Sequence, residues 1–329
     1  MSSEDGFRYA KDDEYLEAVL ESWKQDRSTT TSPQRVETSP LIYHDDNGIP
    51  LYGHVVRPIA SKDEDDDSRT PLRPGILLFH TAAGPQDVFL FQTAAKLASS
   101  DLDCVVLICD VLSDQDGWAW TPNGDRTPFN KVKEDLLREK AILLRSRVKA
   151  AVRALVGSGA DAATDENADG LGVDPERLAG LGWCFGAQPI LELATLQHQQ
   201  NRDASGKDGD AALAFSATAL VSYHGVYRRE DPPESGTESS TTRTDPPERE
   251  VLICTGKSDP FVSRDDVEFA KTTMGAQNYA VRIMEFDGAK HGFTNPAQDF
   301  NANPAFQYNE NAATKSWEAT MELLKRKFF

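Results

Sequence analysis

A cysteine between two glycines is the residue whose setting most clearly permits covalent chemistry. Cys184 lies in a G-x-C-x-G pattern over residues 182–186, where an apolar run ends and a helical pattern begins. Glycines at these positions allow a sharp strand-to-helix turn that presents the side chain at the carboxyl end of a sheet. The helix N-terminus stabilises a thiolate there, and the N–H of Phe185 would face an oxyanion. The alternative is an ordinary turn with an unreactive cysteine.

Two further residues follow in the chain order that accompanies such a nucleophile. Asp259 and His291 each come directly after another apolar run. Nucleophile, acid and then histidine is the order of α/β-hydrolase triads. In such a triad His291 takes the thiol proton and later protonates the leaving group, while Asp259 orients the imidazole. Singly, such an aspartate is usually a turn residue or helix cap and such a histidine a packed residue, but the three together favour catalysis.

These residues need a scaffold, and the sequence predicts one in which strands and helices alternate. The apolar runs lack polar alternation, which is typical of strands buried on both faces and joined by crossover helices. The predicted strands are Gly75–Phe79, Cys104–Cys109, Leu178–Leu181, Ala219–Tyr223, Val251–Cys254 and Val281–Phe286. The predicted helices are Asp87–Ser99, Lys131–Val156, Ala187–Gln197, Ser263–Met274 and Ala305–Lys327. The pattern indicates an α/β fold with a mostly parallel, doubly wound sheet and helices on both faces.

An antiparallel hairpin is predicted ahead of the parallel strands. Residues 40–44 and 49–56 flank a turn in which Asn47 and Gly48 supply the positive φ angles of a tight hairpin. Further upstream, apolar residues recur at helical spacing over 12–27, which predicts an amphipathic helix.

The domain organisation follows from where a core can form. We predict a polar N-terminal extension over residues 1–35 and a single domain over 36–329. Three polar, acidic tracts cannot support a core and are interpreted as loop insertions near residues 61–69, 158–172 and 228–250.

Composition disfavours several classes of function. The 329 residues carry a net charge of −18, whereas nucleic-acid binding needs an excess of basic side chains. No stretch approaches the roughly 18 apolar residues of a membrane span, and the acidic N-terminus lacks a secretory pattern. Cys104, Cys109 and Cys254 lie in apolar runs, as expected for core thiols of a cytosolic protein. We therefore expect a cytoplasmic protein that binds neither nucleic acid nor membrane.

From about Pro40 to its C-terminus the sequence resembles the dienelactone hydrolase family of the α/β-hydrolase superfamily. The resemblance is carried by the cysteine elbow at 182–186, by the acid in 258–260 and by the histidine in 291–293. Cysteine in place of serine at the elbow is the most discriminating of these features. The resemblance implies hydrolysis of a small-molecule ester, lactone or thioester through a thioester acyl-enzyme, without a metal or organic cofactor. The choice between monomer and homodimer stays open.

The oxyanion hole needs a second donor from the loop after an early strand. In this chain that donor is the amide of Ala82 or, less favoured, of Thr81, facing Phe185 across the site. Family members that open dienelactone often carry a glutamate at the position of Thr81, thought to control cysteine protonation. They also hold the substrate carboxylate with arginines, which the matching stretches 110–113 and 291–295 lack. These departures disfavour dienelactone itself as the substrate.

Several residues are candidates for the substrate pocket. Trp118, Trp120 and Phe129, with Trp183, suggest an apolar acyl pocket, although core packing is favoured for Trp183. Tyr223 is the last residue of a predicted strand that ends at the same sheet edge, and it is a further candidate.

Polar candidates lie beside the oxyanion loop. His80 and Thr81 are possible pocket residues, although a structural role for His80 at the end of a strand is weighed equally. His224 has no assigned role.

Two alternatives to catalysis remain open. A non-catalytic protein of the same fold would keep the pocket and bind a ligand without turnover. The tract from Arg228 to Glu250 is also a candidate partner-binding segment.

Overall fold

The central feature of the molecule is an eight-stranded mixed sheet. The computed structural model describes residues 36–59, 72–85, 87–113, 127–157, 170–203, 213–227 and 248–329. The strands are β1 Val36–His44, β2 Pro50–Pro58, β3 Arg73–Phe79, β4 Val105–Cys109, β5 Val173–Trp183, β6 Ala217–Tyr223, β7 Arg249–Gly256 and β8 Tyr279–Phe286. Their order in the sheet is β1-β2-β4-β3-β5-β6-β7-β8. This confirms all six apolar runs as strands.

The sheet is antiparallel at one edge and parallel elsewhere. The β1–β2 and β2–β4 pairs are antiparallel, and every pair from β4 to β8 is parallel. Parallel strands expose their carboxyl ends at one edge, where α/β proteins place their sites. Cys184, Asp259 and His291 follow β5, β7 and β8 at that edge. One expectation was wrong, because β8 is an outer strand and most of its side chains are only partly buried or exposed.

Helices cover both faces of the sheet, as predicted. They are α1 Val88–Ala98, α2 Thr127–Leu137, α3 Ile142–Val156, α4 Ala187–Asp203, α5 Arg264–Ala276 and α6 Glu310–Phe328. One face packs against α1 and α6, and the opposite face packs against α3, α4 and α5. The fold is therefore that of an α/β-hydrolase-type doubly wound sheet.

The predicted helix over 131–156 is interrupted. The break separates α2 from α3 at Glu139 and Ala141, whose φ angles are 49° and 56°. A left-handed residue cannot continue a right-handed helix, and no proline or glycine marks the break in the sequence.

The last helix begins five residues later than predicted, at Glu310 instead of Ala305. Asn309 caps its start by accepting from the amide of Ala312. Residues 305–307 instead pair with the backbone of His291: the His291 N–H donates to the Ala305 carbonyl, and the Gln307 N–H donates to the His291 carbonyl. The segment before α6 therefore fixes the histidine loop.

The β1–β2 connection is a longer loop than the predicted tight turn. Only Gly48 adopts a positive φ, at 75°. The Asp45 carboxylate accepts from the amides of Asn47 and Ile49, and it pairs with buried Arg147 of α3 at 3.4 Å. A side-chain cap thus replaces the second left-handed residue.

Some predictions lie outside the described residues. These are the helix over 12–27, the insertion at 61–69, most of the insertions at 158–172 and 228–250, and the side chains of Trp118, Trp120 and Phe129. The division into an extension and one domain stays a prediction. Within the described ranges, none of the helices has the length and apolar character needed to cross a bilayer.

Candidate active site

The turn that carries Cys184 is sterically demanding. Cys184 follows β5 with φ 54°, and a short 3-10 turn then leads into α4. A Cβ on Gly182 would lie 2.2 Å from the Gly186 carbonyl oxygen, and one on Gly186 would lie 2.4 Å from the Phe79 carbonyl oxygen. Both glycines are therefore required for the approach of the elbow to its own helix and to β3.

Asp259 and His291 are held together below this turn. The His291 Nδ1–H donates to Asp259 Oδ2 at 2.8 Å, and both side chains are buried. The second carboxylate oxygen, Oδ1, accepts from the Phe261 amide at 2.8 Å. The carboxylate thereby fixes both the tautomer and the orientation of the imidazole.

The other side of the imidazole faces Cys184. The two side chains are close enough for each to shift the pKa of the other, and because Nδ1 is used by Asp259 the nitrogen available to the sulfur is Nε2. Burial acts to lower the pKa of His291, but Asp259 and the Cys184 thiolate outweigh it and raise that pKa to about 9. Burial acts to raise the pKa of Cys184, but His291 and two amides hold that pKa below its ordinary value. Each side chain therefore favours the charged form of the other, the thiolate of Cys184 and the imidazolium of His291.

The two amides belong to Phe185 and Ala82, the predicted oxyanion-hole donors. Both amides act to lower the pKa of the Cys184 thiol. They converge from two elements, the N-terminal end of the elbow helix and the loop after β3. An arrangement of this kind stabilises negative charge at one point in space.

The other cysteines differ sharply from Cys184. Cys104, Cys109 and Cys254 are fully buried, and burial raises the pKa of each thiol above its ordinary value. Only thiolates are good nucleophiles, so among the four cysteines Cys184 alone has a reactive setting.

The His80 side chain stabilises the loop after β3 that carries Thr81 and Ala82. It is completely buried, its Nδ1 contacts the Thr81 carbonyl at 2.6 Å, and its Nε2 accepts from the Val111 amide at 3.3 Å. Burial lowers the pKa of His80, which keeps the ring neutral. Thr81 turns its hydroxyl to the Ala83 amide at 3.1 Å. These contacts favour the structural reading of His80.

Tyr223 lies in the core, which corrects its assignment to the pocket. Its hydroxyl pairs with Thr320 of α6 at 2.6 Å, and its ring stacks on Trp183 with centroids 4.9 Å apart. Trp183 and Tyr223 are register partners at the ends of β5 and β6. Both side chains therefore point to the α1–α6 face, and Trp183 packs in the core as favoured.

Three rings around His291 were not singled out as site residues. Phe261 and Phe306 are half-buried and lie edge-on to the His291 ring at 5.0 and 5.2 Å. His224 is buried and lies 4.7 Å from it. Phe261 and His224 could have been considered from the sequence, because each follows a predicted strand. Phe306 reaches the site only because its segment pairs with the backbone of His291.

The stretch after β4 is occupied by structural hydrogen bonds. The buried Asp110 carboxylate accepts from the amides of Tyr52, Leu112 and Ser113. Within the described ranges, no three His, Cys, Asp or Glu side chains are arranged to hold a metal ion.

Comparison with known proteins agrees with this architecture. The family model described as "Dienelactone hydrolase family" matches residues 209–328, which include Asp259 and His291. Over this part of its length the chain resembles the dienelactone hydrolase family. An uncharacterised protein of Caenorhabditis elegans is 26% identical to this chain over 156 residues, covering 47% of the chain and 84% of the relative.

Solved structures share the fold of this chain. A protein named m3DLH superposes with a TM-score of 0.63 at 22% identity, covering 89% of this chain and 99% of its own. A dienelactone hydrolase-like promiscuous phosphotriesterase from metagenomic libraries gives 0.60 at 23%, covering 89% and 98%. The thermostable carboxylesterase EstE1, cloned from a metagenomic library, gives 0.51 at 16%, covering 95% and 97%.

Proposed function

We propose that the chain is a cysteine hydrolase that cleaves small, predominantly apolar esters or lactones through an acyl-enzyme on Cys184. The observation that carries the proposal is that His291 lies between Cys184 and Asp259, with its Nδ1 2.8 Å from Asp259 Oδ2 and with Cys184 and His291 each shifting the pKa of the other toward its charged form. The family match and the carboxylesterase among the structures of the same fold support an ester-hydrolysing enzyme.

In the acylation step the Cys184 sulfur attacks the carbonyl carbon of the ester. The carbonyl oxygen becomes an oxyanion and accepts hydrogen bonds from the amides of Phe185 and Ala82, which in the free enzyme act to lower the pKa of the Cys184 thiol. The carbon–oxygen bond to the alcohol then breaks, and His291 gives its Nε2 proton to the departing oxygen. The products of this step are the free alcohol and a thioester.

Deacylation reverses the roles with water as the nucleophile. Neutral His291 takes a proton from water as its oxygen attacks the thioester carbonyl, and the same two amides hold the oxyanion. The carbon–sulfur bond breaks, the carboxylic acid leaves and the thiolate–imidazolium pair is restored. Asp259 keeps its hydrogen bond to Nδ1 throughout, which stabilises the imidazolium whenever it forms.

The preference for apolar substrates rests on the surroundings of His291. Phe261 and Phe306 lie beside the ring that protonates the leaving group, and their own centroids are 5.4 Å apart. Half-buried phenyl rings favour apolar groups over charged ones, because a charged group would lose hydration against them.

A cysteine-replacement series tests the proposal. Cys184→Ala is expected to abolish hydrolysis of p-nitrophenyl acetate, and Cys184→Ser is expected to retain only a small fraction, because a neutral serine hydroxyl lacks the ion pair with His291. Cys104→Ala is the matched control, since it also removes a buried thiol, and it should keep its turnover. Full activity in Cys184→Ala would refute the nucleophile.

Thiol labelling, combined with ester turnover, distinguishes an enzyme from a protein that only binds a ligand. Iodoacetamide should label Cys184 far faster than the other three cysteines, because only its thiol has a lowered pKa. Fast labelling without turnover of any ester in a panel would support binding without catalysis.

A further inference from the structure

His224 combines three unusual features at one position beside the proposed nucleophile. Its backbone is left-handed, with φ 40°. Its side chain is buried, and among the described residues Nδ1 has no hydrogen-bond partner. Its ring contacts His291 at 4.7 Å with the ring planes 66° apart.

The first two of these features are unfavourable for folding unless something compensates them. A left-handed φ is strained for a residue other than glycine, and a buried nitrogen without a partner loses its hydration. Such combinations concentrate at functional sites. Cys184 is left-handed too, so two residues with a left-handed backbone lie beside the His291 imidazole.

The backbone shows why the chain accepts this conformation. The His224 N–H donates to the Cys254 carbonyl at 2.8 Å, and two residues later the Val226 N–H donates to the Cys184 carbonyl at 3.0 Å. Gly225 lies between them, where a Cβ would be 2.3 Å from Ser222 Oγ. The segment 224–226 therefore ties the end of β7 to the elbow, and the left-handed turn directs the imidazole of His224 at His291.

The contact also suits a positively charged partner. Burial, and then the charge of His291, lower the pKa of His224 well below its ordinary value, so its ring is neutral. A neutral aromatic ring beside an imidazolium attracts it, whereas a second cation would repel it. Of the three rings around His291, only His224 is buried, and its backbone segment is bonded to the nucleophile.

We propose that His224 is a positioning residue, which holds the His291 ring in line between Asp259 and Cys184 and couples that ring to the nucleophile elbow through segment 224–226. The inference rests on the proposed function for its kinetic consequences. The alignment itself is a property of the resting protein and can be measured without a substrate.

The experiment compares variants that separate the backbone from the ring. His224→Asn tolerates a left-handed φ but lacks the ring, while His224→Phe restores a ring of similar size. His54→Asn is the matched control, since it removes another buried imidazole, which lies in β2.

Two readouts are measured for each variant that retains the wild-type thermal melting behaviour. The first is the pH dependence of Cys184 alkylation by iodoacetamide, which reports the thiolate without ester turnover. The second is kcat and KM for p-nitrophenyl acetate. For His224→Asn the midpoint of the alkylation profile should move to higher pH. The value of kcat should fall about 10- to 100-fold, because a small misplacement of a catalytic group lowers the rate by that factor. The value of KM should stay within about threefold.

His224→Phe should recover most of both quantities, and His54→Asn should match the wild type. If His224→Phe does not fold, His224→Tyr supplies the ring in its place. A His224→Asn variant with the wild-type alkylation midpoint and kcat would overturn the proposal. So would a folded aromatic variant no better than His224→Asn. If no variant hydrolyses any ester while the alkylation midpoint still shifts, the proposed function fails and the positioning role stands.

Discussion

Removing the Cys184 sulfur should make His291 much easier to deprotonate. In the native protein the Asp259 carboxylate and the Cys184 thiolate together hold the pKa of His291 at about 9, against the ordinary 6.5. At about 1.4 kcal/mol per pH unit, that difference favours the imidazolium by about 3 kcal/mol. Burial opposes protonation, so the preference depends entirely on the two acidic neighbours.

Cys184→Ala deletes one of those neighbours and leaves the other. The hydrogen bond and the charge of the thiolate vanish, while burial continues to act against the imidazolium. The pKa of His291 should therefore fall, but it should stay above that of the double variant Cys184→Ala, Asp259→Asn. Imidazole NMR signals followed against pH measure these values directly.

The same change has a consequence for stability. A histidine with a raised pKa stabilises the fold fully below about pH 6.5, and this contribution is lost as pH rises through about 9. Chemical denaturation measures the free energy of unfolding at each pH. The decrease in that free energy between pH 6.5 and 9 that is due to His291 should be smaller in Cys184→Ala. An unchanged His291 titration in that variant would refute the ion pair.

Three other predictions concern the pH profile, the elbow and the leaving-group side of the site. The value of kcat/KM for p-nitrophenyl acetate should decline above about pH 9 as His291 loses its proton, and a flat profile to higher pH would contradict the assignment of the acid. Gly186→Ala should lower the free energy of unfolding by about 1–3 kcal/mol or more in urea titrations, because its Cβ would meet a backbone oxygen at 2.4 Å. The control is Gly275→Ala in α5, where a Cβ would meet open space. It should be neutral or stabilising. Phe306→Ala or Phe261→Ala should lower kcat/KM more for aryl acetates than for ethyl acetate, by about 1 kcal/mol of selectivity, and equal losses on both esters would assign these rings to packing alone.

The strands and the cluster of Cys184, Asp259 and His291 could be predicted from the sequence because their signals are local. Apolar runs mark parallel strands, and glycines around Cys184 mark the elbow. Since parallel strands end at one edge, the order of Cys184, Asp259 and His291 along the chain was sufficient to expect that they meet.

Side-chain direction was harder to predict. Successive residues of a strand point to opposite faces, so the last residue of β6 faces the helices α1 and α6, as Trp183 does in register on β5. Counting alternate residues along β6 from its register with β5 would have placed the Tyr223 side chain in the core. The break between α2 and α3 had no such signal, because Glu139 and Ala141 are ordinary helix residues in left-handed conformations.

The rings around His291 depend on tertiary contacts. Phe306 reaches the site because residues 305–307 pair with the backbone of His291, and no local pattern announces that pairing. The role of His224 became apparent only from its left-handed backbone and its contact with His291.

The central claim is that Cys184 carries the acyl group during turnover. The most direct test is a rapid acid quench of the protein with p-nitrophenyl acetate, followed by mass spectrometry of the intact protein and its peptides. The proposed mechanism predicts one acetyl group on Cys184 that hydroxylamine removes, and none in Cys184→Ala. An acetyl group on a residue other than Cys184 would contradict it. So would turnover of the ester by the Cys184→Ala protein.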